Sequence, residues 1–188
     1  IEIINYSRRA SVSQMAIELY EDPPDILGFS VLGWNFTAVG ELATTFHQVK
    51  PNGWCLFGGN HASHQADRVF RLYPQVDMII NGEGELTFRE LLLAFLAGKK
   101  KEELREVHGI SVRCDDGTVF TTPERPRLKD LNVIPSPFLT GAIEMYGKDG
   151  KFLYDVALME TNRGCPYKCA FCYWGGATGS KLSRFSSE

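Results

Sequence analysis

The feature that most constrains the fold is an alternation of short apolar runs with amphipathic segments of helical length, over the first half of the chain. The predicted strands are residues 1–4, 25–32, 54–57 and 76–80, and the predicted helices are residues 11–21, 37–50, 62–73 and 83–97. Strands that alternate with helices pair in parallel through right-handed crossovers. The order therefore predicts an α/β fold, a doubly wound parallel sheet with helices on both faces.

Size and charge narrow the classes of function. The 188 residues suffice for one domain and part of a second. A net charge of −3 does not favour nucleic acid or an anionic membrane as the main partner. The longest apolar stretch, residues 91–97, is too short to span a bilayer, and no targeting segment is visible. We therefore expect a cytoplasmic protein, whose lysines at 99–101 form a solvated charge run.

Beyond residue 108 the pattern changes. Residues 109–114 and 119–122 flank Asp115-Asp116-Gly117, which predicts a β-hairpin. The following segment is rich in proline and predicts an extended linker; its prolines are Pro123, Pro126, Pro135 and Pro137. Residues 152–159 predict a further strand. The predicted organisation is an α/β domain over 1–108, a hairpin and linker over 109–151, and a separate segment over 152–188.

Small and polar residues follow three of the predicted strands. They are Ser30, then Gly58, Gly59 and Asn60, then Gly82, Glu83 and Gly84. Parallel sheets bind ligands at the carboxyl ends of their strands, and glycines let the backbone approach a bulky ligand closely. Residues 81–84 also open a helix, whose first N–H groups are available to polar groups. No G-x-G-x-x-G follows a strand, so a dinucleotide is not the favoured ligand.

Three of the five cysteines, Cys165, Cys169 and Cys172, lie close together in the spacing C-x3-C-x2-C. Such spacing suits an iron–sulfur cluster, because one loop must wrap it. Three thiolates leave one iron of a 4Fe–4S cluster open to another ligand. A structural zinc site normally has four protein ligands, and a fourth from outside the chain would complete one, so spacing alone leaves zinc open. The other two, Cys55 and Cys114, fall in predicted strands and are expected to be buried.

The cysteine motif resembles the signature of the radical S-adenosylmethionine (SAM) superfamily, C-x3-C-x-aromatic-C. Phe171 fills the aromatic position, and residues 160–167 (ETNRGCPY) resemble the first strand and loop of that superfamily's barrel. The resemblance implies that the three cysteines hold a 4Fe–4S cluster and that Phe171 and Tyr173 lie near the adenine of SAM. It also implies that residues 152–188 begin a TIM-like barrel, which is partial here and continues past the last residue.

Residues 24–30 (PDILGFS), 56–62 (LFGGNHA) and 81–88 (NGEGELTF), in this order, resemble the Rossmann-like cobalamin-binding domain that precedes many radical SAM barrels. The resemblance implies cobalamin contacts at the seven small and polar residues named above, and one more strand and helix upstream of residue 1. The family's proline after the double glycine is Asn60 here. The Asp-x-His-x-x-Gly motif that supplies a histidine to cobalt is absent. We therefore expect no histidine on cobalt, although His61 and His64 lie near the site.

The resemblance implies a cobalamin-dependent radical SAM enzyme that transfers a methyl group to an unactivated carbon. Its catalytic residues are not identified, and its substrate is an unknown small molecule or peptide. An electron donor such as flavodoxin or ferredoxin is expected, with no nucleic acid or membrane partner, and the segment alone is expected to be inactive. Two alternatives stay open. One is a non-catalytic cobalamin-binding or electron-transfer module, which has no need of an open iron. The other is a radical SAM enzyme that forms a ring or rearranges its substrate.

Overall fold

The computed structural model describes residues 11–156, 159–167, 169–172 and 182–186. The chain divides into two compact units, Ile1–Arg125 and Pro126–Glu188, and each is described by itself. The predicted strand at residues 1–4 lies outside the described residues. No helix in the described ranges is long and apolar enough to cross a membrane.

The first unit contains the predicted strands and helices of residues 11–98, with bounds that differ by a few residues. Its elements are α1 Val12–Glu21, β1 Ile26–Ser30, α2 Phe36–Val49, β2 Trp54–Gly58, α3 Ala66–Leu72, β3 Met78–Ile80, α4 Glu85–Leu96, a 3-10 helix Lys101–Glu106, β4 Ile110–Arg113 and β5 Val119–Thr121. Helix α1 begins at a capping box, in which Ser11 and Gln14 each accept a hydrogen bond from the other's backbone N–H. Helix α4 is followed by Gly98, whose positive φ of 70° suits a helix stop.

The three strands β1, β2 and β3 pair in parallel in that order, with Ile26 opposite Trp54 and Leu56 opposite Met78. The predicted hairpin is present as the antiparallel pair β4–β5. Strand β4 also pairs antiparallel with β3, so the hairpin extends the sheet instead of standing apart from it. Among the described residues the result is one five-stranded, mixed sheet in the order β1-β2-β3-β4-β5.

Helices cover both faces of this sheet, as predicted. Alternate residues of β2 serve the two faces: Cys55 and Phe57 pack with α2 and α3, whereas Trp54 and Leu56 pack with α4. Burying a large apolar side chain such as Phe57 contributes about 1.5–3 kcal/mol. Both Cys55 and Cys114 are buried, as expected for small apolar side chains.

Strand β1 is less buried than its apolar run predicts. Gly28 and Ser30 are exposed and the remaining residues are half-buried. Among the described residues β1 pairs only with β2, so it forms an edge of the sheet. An edge strand is covered less than a central strand such as β2, whose residues 54–57 are all buried.

The second unit has little regular structure in its described residues. A 3-10 turn spans Leu131–Val133, and two short strands, β6 Asn162–Arg163 and β7 Ser183–Arg184, pair antiparallel. The predicted strand at 152–159 is wrong for its described residues. Only Phe152 makes a bridge, to Tyr146, and 153–156 and 159 lie outside any strand with their side chains exposed. The apolar run has no strand beside it in the described chain, and the barrel stays a prediction.

Candidate functional site

Three loops meet at the carboxyl edge of the parallel strands. They are residues 31–35 after β1, 59–65 after β2 and 81–84 after β3, and we call them together the carboxyl edge. The middle loop is bound to both of its neighbours. Val31 N donates to Gly58 O at 2.7 Å, and His61 N donates to Val31 O at 3.3 Å. On the other side, Gly82 N donates to Ser63 Oγ at 3.0 Å. The parallel order therefore gathers the predicted cobalamin-contact residues at one edge of the sheet.

The glycines of the carboxyl edge differ in what a side chain at their positions would meet. Gly59 has a φ of 94°, and a Cβ there would lie 2.7 Å from Val31 O, so the chain itself fills that space. Gly82 also has a positive φ, but no atom lies within 4 Å of its Cβ position. At Gly58 the nearest atom is Phe29 O at 3.9 Å, and Ser30 is exposed. Room for a ligand is therefore left at Ser30, Gly58 and Gly82, whereas Gly59 lets two loops pack closely.

The remaining predicted contacts lie beside this opening. Asn60 is exposed in the middle loop, and Glu83 and Gly84 are half-buried ahead of α4. Gly84 caps α4 and accepts the first helical hydrogen bond, from Phe88 N at 2.7 Å. The N-terminus of α4 thus opens on the carboxyl edge, where first-turn amides are suited to carbonyl or phosphate oxygens.

Asn81 anchors the edge, a role that sequence reasoning missed. Its side chain accepts from His64 N at 2.8 Å and donates to Ser111 Oγ at 3.1 Å, and its own N–H donates to Gly109 O at 2.8 Å. The residue is 5% exposed, so its polar groups are buried and satisfied. The contact with residue 64 holds His64 at a φ of 59°, a left-handed conformation that is uncommon outside glycine.

The loop after β1 is shaped by Asn35 and exposes Trp34. Asn35 Oδ1 accepts from Leu32 N at 2.8 Å, and its Nδ2 donates to Ser30 O at 2.9 Å. The side chain of Trp34 is 84% exposed. A large aromatic side chain is thus displayed on the carboxyl edge.

The opposite end of the sheet holds a group of charged side chains, His47, Asp77, Lys101 and Asp115, which we call the amino-edge cluster. Asp77 Oδ2 accepts from Cys55 N at 2.7 Å and lies 2.8 Å from His47 Nε2. Lys101 Nζ lies 2.6 Å from Asp77 Oδ1 and 2.5 Å from Asp115 Oδ1. The side chains of Asp77 and Lys101 are 7% and 12% exposed. The prediction of a solvated lysine run is therefore wrong at Lys101, because the carboxylates of Asp77 and Asp115, which are distant from it in sequence, bind its ammonium group.

These contacts shift two pKa values. Burial acts to lower the pKa of Lys101, but its hydrogen bonds and charge interactions with Asp115 and Asp77 outweigh burial and raise the pKa above its ordinary value. Burial, and then the negative charge of Asp77, raises the pKa of the Cys55 thiol well above its ordinary value. Lys101 is therefore charged and Cys55 neutral at physiological pH.

The cysteine loop presents three free thiols. Cys165 is half-buried, Cys169 and Cys172 are exposed, and Cys172 N donates to Cys169 O at 3.1 Å in a turn. Phe171 is 95% exposed, and Tyr173 lies outside the described residues. The donor set fits an iron–sulfur cluster in kind, because it consists of closely spaced thiols. In the described part of the chain, however, no three His, Cys, Asp or Glu side chains converge as metal ligands.

An α/β sheet with an open carboxyl edge is the architecture of cofactor-binding Rossmann-like domains. Residues 1–92 match the B12 binding domain family, and this part of the chain belongs to it.

Relatives extend the similarity beyond that domain. The chain is 39% identical over 183 residues to the cobalamin-dependent radical SAM methyltransferase TokK of Streptomyces tokunonensis, a match that covers 95% of this chain and 26% of the relative. It is 38% identical over 184 residues to the 2-(S-pantetheinyl)-carbapenam-3-carboxylate methyltransferase of Streptantibioticus cattleyicolor, with 94% and 26% covered. The chain thus spans about a quarter of the length of these relatives.

A solved structure shares the fold. The cobalamin-dependent SAM radical enzyme OxsB, with aqua-cobalamin and SAM bound, matches with a TM-score of 0.66 at 26% identity, over 94% of this chain and 23% of that one. The resemblance to cobalamin-dependent radical SAM enzymes, predicted from the sequence, is confirmed by these matches.

Proposed function

We propose that this chain supplies the cobalamin-binding domain and the cluster-binding loop of a cobalamin-dependent radical SAM methyltransferase. The observation that carries the proposal is an open carboxyl edge in a B12-binding domain, followed in the same chain by Cys165, Cys169, Phe171 and Cys172. Neither half alone distinguishes an enzyme from a binding module. A cobalamin carrier has no use for three thiols that leave one iron open.

Open space at the carboxyl edge supports the first role, cobalamin binding. Ser30, Gly58 and Gly82 leave space, and Asn60, Glu83 and Gly84 border it with polar groups and the N-terminus of α4. In this proposal they hold cobalamin, which when bound supplies a cobalt centre able to carry a methyl group. Gly59 contributes through its backbone, since it allows the loop after β2 to pack against Val31.

The cysteine loop takes the second role. Cys165, Cys169 and Cys172 would hold a 4Fe–4S cluster, which supplies an electron to SAM, and Phe171 with Tyr173 would flank the adenine. The three thiols must come together for this, because they do not converge in the described residues. An external donor such as flavodoxin or ferredoxin would deliver electrons in a reducing cytosol, and the substrate would be a small molecule or peptide.

Ring formation is the second candidate. The chain is 29% identical over 154 residues to the anaerobic magnesium-protoporphyrin IX monomethyl ester cyclase of Rubrivivax gelatinosus. The two methyltransferases described above are 38% and 39% identical over longer stretches, so methyl transfer is the better supported reaction.

The test is anaerobic reconstitution of the full-length protein with iron, sulfide and hydroxocobalamin. We expect bound iron and cobalt, and 5′-deoxyadenosine and S-adenosylhomocysteine by mass spectrometry once a reductant and substrate are present. Cys169→Ala should lose iron and 5′-deoxyadenosine but retain cobalt, whereas the matched control Cys114→Ala should keep all of them. One equivalent of zinc with no iron would refute the cluster. Iron without cobalt would leave a plain radical SAM enzyme.

A further inference from the structure

Three side chains tie the first two loops of the carboxyl edge together, and we call them the His61 cluster. His61 lies in the loop after β2, Phe36 begins α2 after the loop carrying Trp34, and Arg68 lies on α3. His61 Nε2 is 3.2 Å from Arg68 Nη1. The imidazole meets the Phe36 ring edge-on at 5.0 Å, and the Arg68 guanidinium lies 4.7 Å over that same ring.

The contact with Arg68 defines the roles of the two ring nitrogens of His61. A guanidinium has donors only, so Nε2 must be the acceptor and Nδ1 carries the proton. A Cβ at Gly33 would lie 3.8 Å from Nδ1, which places this nitrogen against the loop after β1. The backbone N–H of His61 donates to Val31 O in that same loop. To bind a metal through Nε2, His61 would have to release Arg68 and break a charge-assisted hydrogen bond.

We propose that His61 is a positioning residue, which holds the loops after β1 and β2 in the arrangement that receives cobalamin and does not itself ligate cobalt. The inference rests on the proposed function for the identity of the ligand. It assigns three residues a role at that site: Arg68 fixes the imidazole, Phe36 supplies the surface on which both side chains rest, and His61 links the two loops. Preformed loops cost less ordering on binding, so the cluster raises affinity without touching cobalt.

The experiment uses the full-length protein and hydroxocobalamin, followed by visible absorption. We expect His61→Phe, which keeps an aromatic ring and removes the acceptor, to weaken cobalamin binding by about threefold to tenfold. Arg68→Met should have a similar effect, and the double variant should lose no more than the larger single loss, because both changes break one interaction. His61→Gln retains an acceptor and should recover part of the affinity. Arg71→Met, an exposed arginine on the same helix, is the matched control and should bind normally.

Electron paramagnetic resonance of the Co(II) state separates positioning from ligation. A nitrogen ligand splits the cobalt signal, and we expect no such splitting in the wild type or in His61→Phe. Splitting that vanishes in His61→Phe would overturn the inference, as would unchanged affinity in both single variants or additive losses in the double variant. If circular dichroism shows that His61→Phe does not fold, the cobalamin affinity of Arg68→Met tests the inference instead. A wild type that takes up no cobalamin refutes the proposed function itself. If the wild type takes up cobalamin and the variants bind it equally well, only the role of His61 is overturned.

Discussion

The two ends of the parallel strands differ in the kind of residues they carry and in how deeply these residues are buried. At the amino end, Asp77 and Lys101 are almost fully buried and each binds more than one partner. At the carboxyl end, Ser30 and Gly82 are exposed and the space beside Gly82 is open. Buried charges are tolerated only when they are paired, and such a network holds one arrangement firmly. The difference indicates that the amino end mainly stabilises the sheet, and under the proposed function the open carboxyl end binds cobalamin. Variants at each end should therefore separate the two properties.

The largest effect is expected at Asp77. Asp77→Ala leaves Lys101 without its buried partner and Cys55 N without its acceptor, so we expect the free energy of unfolding to fall by about 3–5 kcal/mol. Urea denaturation of the full-length protein measures this change. The exposed pair Asp25–Lys50 is the control, and Asp25→Ala should cost about 1 kcal/mol or less. If the two variants proved equally stable, the amino-edge cluster would not be the element that holds the fold.

The pH dependence of stability tests the same cluster through Lys101. Its pKa is raised in the folded state, so its contribution is fully present below the pKa of an unfolded lysine, about 10.4, and is lost as pH rises through the folded pKa. Lys101→Met removes this contribution, so at neutral pH we expect the variant to be less stable than the wild type by about 1.5–3 kcal/mol. The stability difference between wild type and variant should therefore be constant at neutral pH and shrink at alkaline pH. A difference that grew with pH would contradict the raised pKa.

The carboxyl edge itself should show two kinds of glycine. Gly59→Ala combines a positive φ with a contact of 2.7 Å to Val31 O, whereas Gly82→Ala has only the positive φ. We expect Gly82→Ala to cost about 1 kcal/mol of stability and Gly59→Ala about 2–3 kcal/mol. Thermal unfolding followed by circular dichroism compares them. Equal losses would show that the loop shifts to accommodate a side chain at residue 59.

The smallest effect is expected at Ser30. Ser30→Ala removes a hydroxyl at the opening and should weaken cobalamin binding by about threefold to tenfold, or about 0.5–1.5 kcal/mol, with little change in stability. Thr45→Ala on α2 is the control for loss of a hydroxyl and should bind cobalamin normally. A Ser30→Ala variant that unfolds more easily yet binds as well as the wild type would reverse the assignment of roles to the two ends.

The periodicity of the sequence predicts the strands and helices described within residues 11–98, because each apolar run there has a neighbouring strand to pair with. At the described residues 152–156 and 159 the same pattern forms no strand beyond one bridge at Phe152, because this apolar run lacks neighbouring strands in the described chain. The sequence does not predict the contacts of Lys101, because Asp77 and Asp115 are distant from it in sequence and only the folded sheet brings them together. For the same reason the turn signal at Asp115–Gly117 predicted a hairpin but not its pairing with β3.

The features of the candidate site also fall into those that the sequence predicts and those that only the structure reveals. Small residues after strands are visible in a sequence, and the parallel order places them at one edge. The partners of His61 and the anchoring role of Asn81 depend on which side chains meet across loops, so no spacing reveals them. At Gly59 the sequence predicts a cobalamin contact, which stays a prediction, and the structure adds that a Cβ there would meet Val31 O of the chain itself.

The hairpin's place in the sheet has a consequence for synthesis. The five strands that the structure describes in the sheet come from residues up to Thr121, and β4 pairs with the otherwise free side of β3. Chains fold from the N-terminus as they leave the ribosome, domain by domain. The sheet can therefore form its hydrogen bonds before Cys165 has been translated, and we expect the nascent domain to be folded when the three cysteine thiols emerge.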